Sequence, residues 1–112
     1  MTSFLFYLVR LQNEDLLKTY IAFQINVNIC HSNTFTTPLM LAASLGYNQI
    51  CKILLQADAY INSTNLDGNT PLHLAVQYPD VVETLIEHGA DPDALNDDGD
   101  TPVMLLSRVK KP

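Results

Sequence analysis

Cys30 and His31 stand side by side, and a thiol next to an imidazole is the pairing that a cysteine nucleophile with a general base requires. Neighbouring residues of an extended segment point to opposite sides, so this pair shares a hydrogen bond only in a special local geometry. The expected reading is a surface pair, with an enzyme using Cys30 or His31 as the alternative outside binding functions. The acid-rich stretch Asp91-Pro92-Asp93 and Asn96-Asp97-Asp98-Gly99-Asp100 invites a calcium site. It fails the spacing of a calcium loop: with Gly99 at the sixth position, the first ligand falls on Ala94 and the twelfth on Leu105. Neither a glycine-rich phosphate loop nor a zinc-spaced cysteine set occurs, so no cofactor or metal is expected. Cys51, among aliphatic residues, reads as a small core residue.

These residues are carried by a repeating unit. Thr37-Pro38-Leu39-Met40-Leu41-Ala42-Ala43 returns 33 residues later as Thr70-Pro71-Leu72-His73-Leu74-Ala75-Val76, and 31 residues after that as Thr101-Pro102-Val103-Met104-Leu105-Leu106-Ser107. Threonine before proline is a helix start, because the hydroxyl accepts from an orphan backbone N–H and proline at the first helical position loses no bond. Leu39, Leu41, Ala42 and Leu45 supply the apolar positions of this first helix, the small Ala42 and Ala43 let helices approach closely, and Gly46 ends it. From Asn48 a second helix carries Ile50, Ile53, Leu54 and Leu55 as one apolar stripe. A connector, Asn62 to Asn69, then ends in the turn signal Asp67-Gly68 before the next unit.

A period of about 33 residues opened by T-P-L-H-x-A resembles the ankyrin repeats. The likeness extends over Ile50 to Asn62 and Val81 to Asp93, which align with the family's second helix and its Gly-Ala-Asp ending, and more faintly over Leu16 to Asn28. The resemblance implies an all-α repeat solenoid: a helix-turn-helix stack with projecting β-hairpin fingers in one domain over 1–112. Its parts are a degenerate first repeat at 1–36, repeats at 37–69 and 70–100, and a half repeat at 101–112. For His73 it implies a structural hydrogen bond that Met40 and Met104 do not make. Two features depart from the pattern. The repeat from Thr70 is two residues shorter between its helices, so Pro79 is expected to break the chain with Asp80 capping the second helix. The first finger is one residue longer and offers Phe35 where Gly68 and Gly99 stand, as a cap over the first interface or a contact residue.

Charge bounds the partner. Twelve acidic against six basic residues give a net charge of −6, and no Lys or Arg occurs between Ile53 and Ser107 where ten Asp and Glu do. Such a surface repels nucleic acid and steers a basic protein toward itself. Phe4 to Val9 is too short to span a bilayer and lacks the flanks of an export signal, so no membrane partner is expected. The cysteines are then expected as thiols in the cytoplasm, or cytoplasm and nucleus, and the sequon Asn62-Ser63-Thr64 has no role. Arg108, Lys110 and Lys111 suit a helix C-terminus and predict a soluble end, with a monomer on its own.

Function then follows from the resemblance. Ankyrin stacks bind other proteins through their fingers and the exposed face of their first helices. Carried over by position, the contacts are Thr64, Leu66, Asp67 and Asn69 on one finger and Leu95, Asp97, Asp98 and Asp100 on the next, with Ser44, Leu45, Gln77, Tyr78 and Arg108 on the helix face. Leu66 and Tyr78 are the expected anchors, since hot spots favour buried aromatic and apolar groups, although Tyr78 also suits the gap left by the shortened turn. The expected function is a non-catalytic protein-protein interaction module that masks or inhibits a partner with a basic surface. Its rival is a neutral scaffold or adaptor, a fragment of a larger protein.

Overall fold

The computed structural model describes the backbone of residues 2–109 and the side chains of residues 4–107. Among the described residues seven helices follow one another: α1 (Thr2–Leu11), α2 (Glu14–Ile21), α3 (Pro38–Leu45), α4 (Asn48–Gln56), α5 (Pro71–Leu74), α6 (Pro79–Glu87) and α7 (Pro102–Val109). They form two rows. First helices α1, α3, α5 and α7 pack successively on one another, and second helices α2, α4 and α6 do the same behind them. The stack is elongated, 42 by 27 by 26 Å.

Helix starts follow the chemistry of the repeated phrase. Thr37 and Thr70 cap α3 and α5 by accepting the N–H of Met40 and His73, each with proline as the first helical residue. At the other end of α3, Gly46 takes φ +75° and its N–H reaches the carbonyls of Ala42 and Ala43. The core runs continuously between the rows: Leu5, Leu8 and Val9 from α1, Leu17 from α2, Leu39, Ala42 and Ala43 from α3, and Ile50, Cys51, Ile53 and Leu54 from α4. Leu41 and Leu55, expected in it, are only half-buried, and Leu45 is exposed, because α3 buries the side facing α1, α5 and α4 and turns its remaining edge outward.

The shortened repeat departs from expectation. Pro79 does not interrupt the chain but opens α6, which exploits its missing N–H at the one place where no bond is lost. Tyr78 occupies the capping position without a side-chain cap, and the Asp80 carboxylate accepts the N–H of the next residue, Val81, at 2.9 Å. The lost residues come from the first helix, since α5 is a single turn.

Among the described residues no β-strand forms, so the fingers are tight turns instead of hairpins. Asn65 Oδ1 accepts from the backbone of both Asp67 and Asn69, and Asn96 Oδ1 from Asp98 and Asp100. Two backbone bonds close each turn, Asn65 N–H to Asn69 O with Gly68 N–H to Asn65 O, and Asn96 N–H to Asp100 O with Gly99 N–H to Asn96 O, and all of them lie within five residues. Neighbouring fingers are tied by Leu66 N–H to Thr34 O at 2.9 Å and Asp97 N–H to Asp67 O at 3.0 Å. Asn28 and Asn62 repeat a second tie. Asn28 accepts from Tyr60 N–H and donates to Asp58 O, and Asn62 accepts from Asp91 N–H and donates to Gly89 O.

Phe35 adopts φ +59°, the left-handed conformation that Gly68 and Gly99 reach at +76°. Phe35 is 48% exposed and is not among the residues that pack on the buried core. An aromatic residue there carries steric strain that glycine does not. Phe35→Gly is therefore expected to raise stability by about 0.5–1 kcal/mol, less than the full left-handed penalty because glycine gains freedom in the unfolded chain. Urea denaturation checks this: the midpoint should rise, and an unchanged or lower midpoint would mean that the ring contributes packing that outweighs the strain.

Candidate protein-binding site

The first-helix row and the fingers enclose a concave groove of about 480 Å³. Its floor comes from two positions of the repeat, each used twice: Phe6 of α1 with Met40 of α3, and Leu41 of α3 with Leu74 of α5. The first finger builds one wall from His31, Asn33, Thr34 and Thr36, and Asn65 extends it into the second finger. Arg10 and Ser44 line it from α1 and α3, where they stand at equivalent places 34 residues apart. The imidazole of His31 stacks on Phe6 with ring centroids 4.1 Å apart. His31 is thus held flat against the helix row and not against the Cys30 thiol, which is exposed.

The contact residues expected from sequence separate into groups. Ser44 lines the groove, with its hydroxyl donating to Leu41 O at 2.8 Å; Leu45, at the end of α3, and Gln77, in the turn after α5, are exposed. Thr64, Leu66 and Asp67 are exposed on the second finger, as are Leu95, Asp97 and Asp98 on the third. Leu66 and Leu95, 58% and 64% accessible, are available as apolar contacts. Asn69 is half-buried, because its Oδ1 accepts from Asn96 Nδ2 and joins the two fingers.

Asp100 needs correction. It is 5% exposed, and its carbonyl oxygen faces the ring of His73 at 2.9 Å, so it belongs to the interior of the stack and not to the contact surface. Tyr78 is half-buried, packs on the core and lies against Gly46, which favours its gap-filling role over that of an anchor. The Arg108 side chain, together with Lys110 and Lys111, lies outside the described residues.

Sequence reasoning missed Phe6, Arg10, Asn33 and Thr34 as groove residues, and read His31 only as a partner for Cys30. The signal that finds two of them is the frame that aligns Leu16 with Ile50, since the same 34-residue offset carries Met40 onto Phe6 and Ser44 onto Arg10. Met104 also behaves differently from expectation. Its sulfur accepts the N–H of Thr101 at 3.4 Å, half of what the His73 ring does for Thr70.

Burial pushes the Cys51 thiol up to about 12, with the nearby Asp80 carboxylate adding to the effect. A thiol that stays protonated near neutrality is no nucleophile. Among the described residues no group of three or more His, Cys, Asp or Glu could hold a metal ion, and no helix is long and apolar enough to cross a membrane.

Two rows of stacked helices, with capped Thr-Pro starts and fingers tied tip to tip, define a repeat solenoid. Residues 5–96 match the family of ankyrin repeats, in three copies, and the chain belongs to that family. Among its relatives is human protein phosphatase 1 regulatory subunit 27, 46% identical over 67 residues that make up 57% of this chain and 44% of that protein. The ankyrin repeat protein FPV031 of fowlpox virus (strain NVSL) is 43% identical over 70 residues, 60% of this chain and 20% of the viral protein. Mouse protein phosphatase 1 regulatory subunit 12A is 32% identical over 76 residues, 66% of this chain and 7% of that protein. The matched stretch thus spans less than half the length of each of these relatives.

Proposed function

We propose that this chain is a non-catalytic interaction module that binds a partner protein along the groove and fingers, and that its acidic half selects a basic surface whose activity it masks. The observation that carries this reading is the placement of charge. Asp67, Asp97 and Asp98 are exposed on fingers joined by the Asp97 N–H to Asp67 O bond, and no Lys or Arg from 53 to 107 offsets them. Carboxylates on adjacent tips act together on an approaching cationic surface and mainly raise the rate and selectivity of encounter. Relatives named as regulatory subunits of a phosphatase support a role in controlling another protein through contact.

Exposed Leu66 and Leu95 on the same fingers favour a second reading, a neutral scaffold or adaptor that docks by apolar contact. Salt separates the two. For a partner isolated by affinity capture, affinity is expected to fall about tenfold or more between low salt and about 0.5 M, where the screening length is about 4 Å. The combined substitutions Asp67→Asn, Asp97→Asn and Asp98→Asn should remove most of that dependence. Affinity that is indifferent to salt in the unmodified chain would leave only the adaptor reading.

A further inference from the structure

Charge along the stack is segregated in a way that specifies the partner more closely. From Leu16 to Ala57, the stretch that supplies most of the groove's lining, there is no Asp or Glu, and Arg10 is the groove's single formally charged lining residue. Arg10 is exposed and has no ion-pair partner among the described residues. The amide of Asn33, on the finger wall of the same groove, likewise has no hydrogen-bond partner there. By contrast, Thr34, Thr36 and Ser44 are already engaged, Thr34 donating to Thr36 and Ser44 to Leu41 O.

We infer that the N-terminal half of the groove takes a carboxylate side chain of the bound partner, gripped by Arg10 and Asn33, while the partner's basic residues lie over the acidic second and third fingers. The inference rests on the reading that the groove and fingers form the docking face. Two uncommitted donor groups beside an apolar floor suit an acidic side chain followed by an apolar stretch. The planar guanidinium matches a carboxylate through two parallel bonds. One guanidinium, with no second cation in the lining, suits a singly charged carboxylate better than a phosphate, which is typically held by several arginines. The Leu66 N–H to Thr34 O bond sets the first finger against the second, so a partner leaving the Arg10 end passes directly onto Asp67 and then, by the next finger bond, onto Asp97 and Asp98. The bound segment therefore has a fixed direction: reversing its charge order would place acid against acid.

A displayed library of random linear peptides selected on the whole chain tests this, followed by fluorescence polarisation of a selected peptide and of its analogue with the acid changed to the amide. The expected selection carries an Asp or Glu set apart from a Lys or Arg cluster. Neutralising that acid should weaken binding about tenfold, as for a charge-assisted hydrogen bond, and Arg10→Gln should weaken it equally and make the analogue no worse than the parent peptide. Circular dichroism confirms that Arg10→Gln, an exposed change, is folded. Peptides selected only for basic residues, with Arg10→Gln without effect and the Asp67, Asp97 and Asp98 substitutions destroying binding, would overturn the carboxylate site and leave the acidic docking face intact. Peptides indifferent to both sets of substitutions, or no selection at all, would overturn both.

Discussion

His73→Ala is expected to destabilise the stack by about 3–5 kcal/mol, from a buried polar group left without its partner and a cavity the size of an imidazole. The ring is 2% exposed and bonded on both edges. Thr70 N–H donates to Nδ1 at 3.1 Å, which assigns the ring proton to Nε2, and Nε2–H donates across the repeat boundary to Asp100 O at 2.9 Å. One side chain thus closes the start of α5 and fastens the third finger to it. Native domains are stable by about 5–15 kcal/mol, and a stack of about three repeats stands near the minimum, so the loss takes most of the margin.

His73→Met separates the two contributions. The equivalent positions are already methionine, and at Met104 the sulfur accepts the capping N–H. Methionine fills the space and keeps a weak form of the Thr70 bond, so about 1–2 kcal/mol should be lost, chiefly the Asp100 bond. Urea denaturation measures both variants, and amide exchange should quicken first in the third finger and α7. Equal losses for alanine and methionine would show that neither the filled volume nor the Thr70 N–H bond contributes to stability.

The features legible in the sequence are those set by local rules. Thr37-Pro38 and Thr70-Pro71 start helices because capping needs only three residues, and Ile50, Ile53 and Leu54 face inward because helical spacing alone aligns them. The failures arise where the outcome depends on a neighbouring repeat. Asp100 reads as one more finger acid, yet the bond between its carbonyl and His73, 27 residues away, draws it inside. The fingers read as hairpins because Asp-Gly marks a turn, but Asn65 and Asn96 take up the N–H groups that a ladder would use. The groove was illegible at its N-terminal end because α1 lacks the Thr-Pro opening, although its residues keep the frame.

Gly46→Ala should cost about 2–4 kcal/mol, more than a left-handed backbone penalty explains, because the added carbon meets Tyr78. A Cβ at Gly46 would stand 2.6 and 2.8 Å from Cδ1 and Cε1 of that ring, and the ring is wedged between the end of α3 and the start of α6. Gly99→Ala provides the control: φ is the same within a degree, +76° against +75°, and nothing lies within 4 Å of the new carbon, so only about 1–2 kcal/mol should be lost. The difference between the two variants isolates the clash. Tyr78→Ala alone should destabilise by loss of packing, and the pair Gly46→Ala with Tyr78→Ala should be less unstable than the sum of the singles by about 1–2 kcal/mol, since the second change removes what the first collides with. Coupling of that sign means that the shortening of α5 is tolerated because an aromatic ring fills the space it opens. Additive losses, with Tyr78→Ala weakening partner binding instead, would return Tyr78 to the docking face.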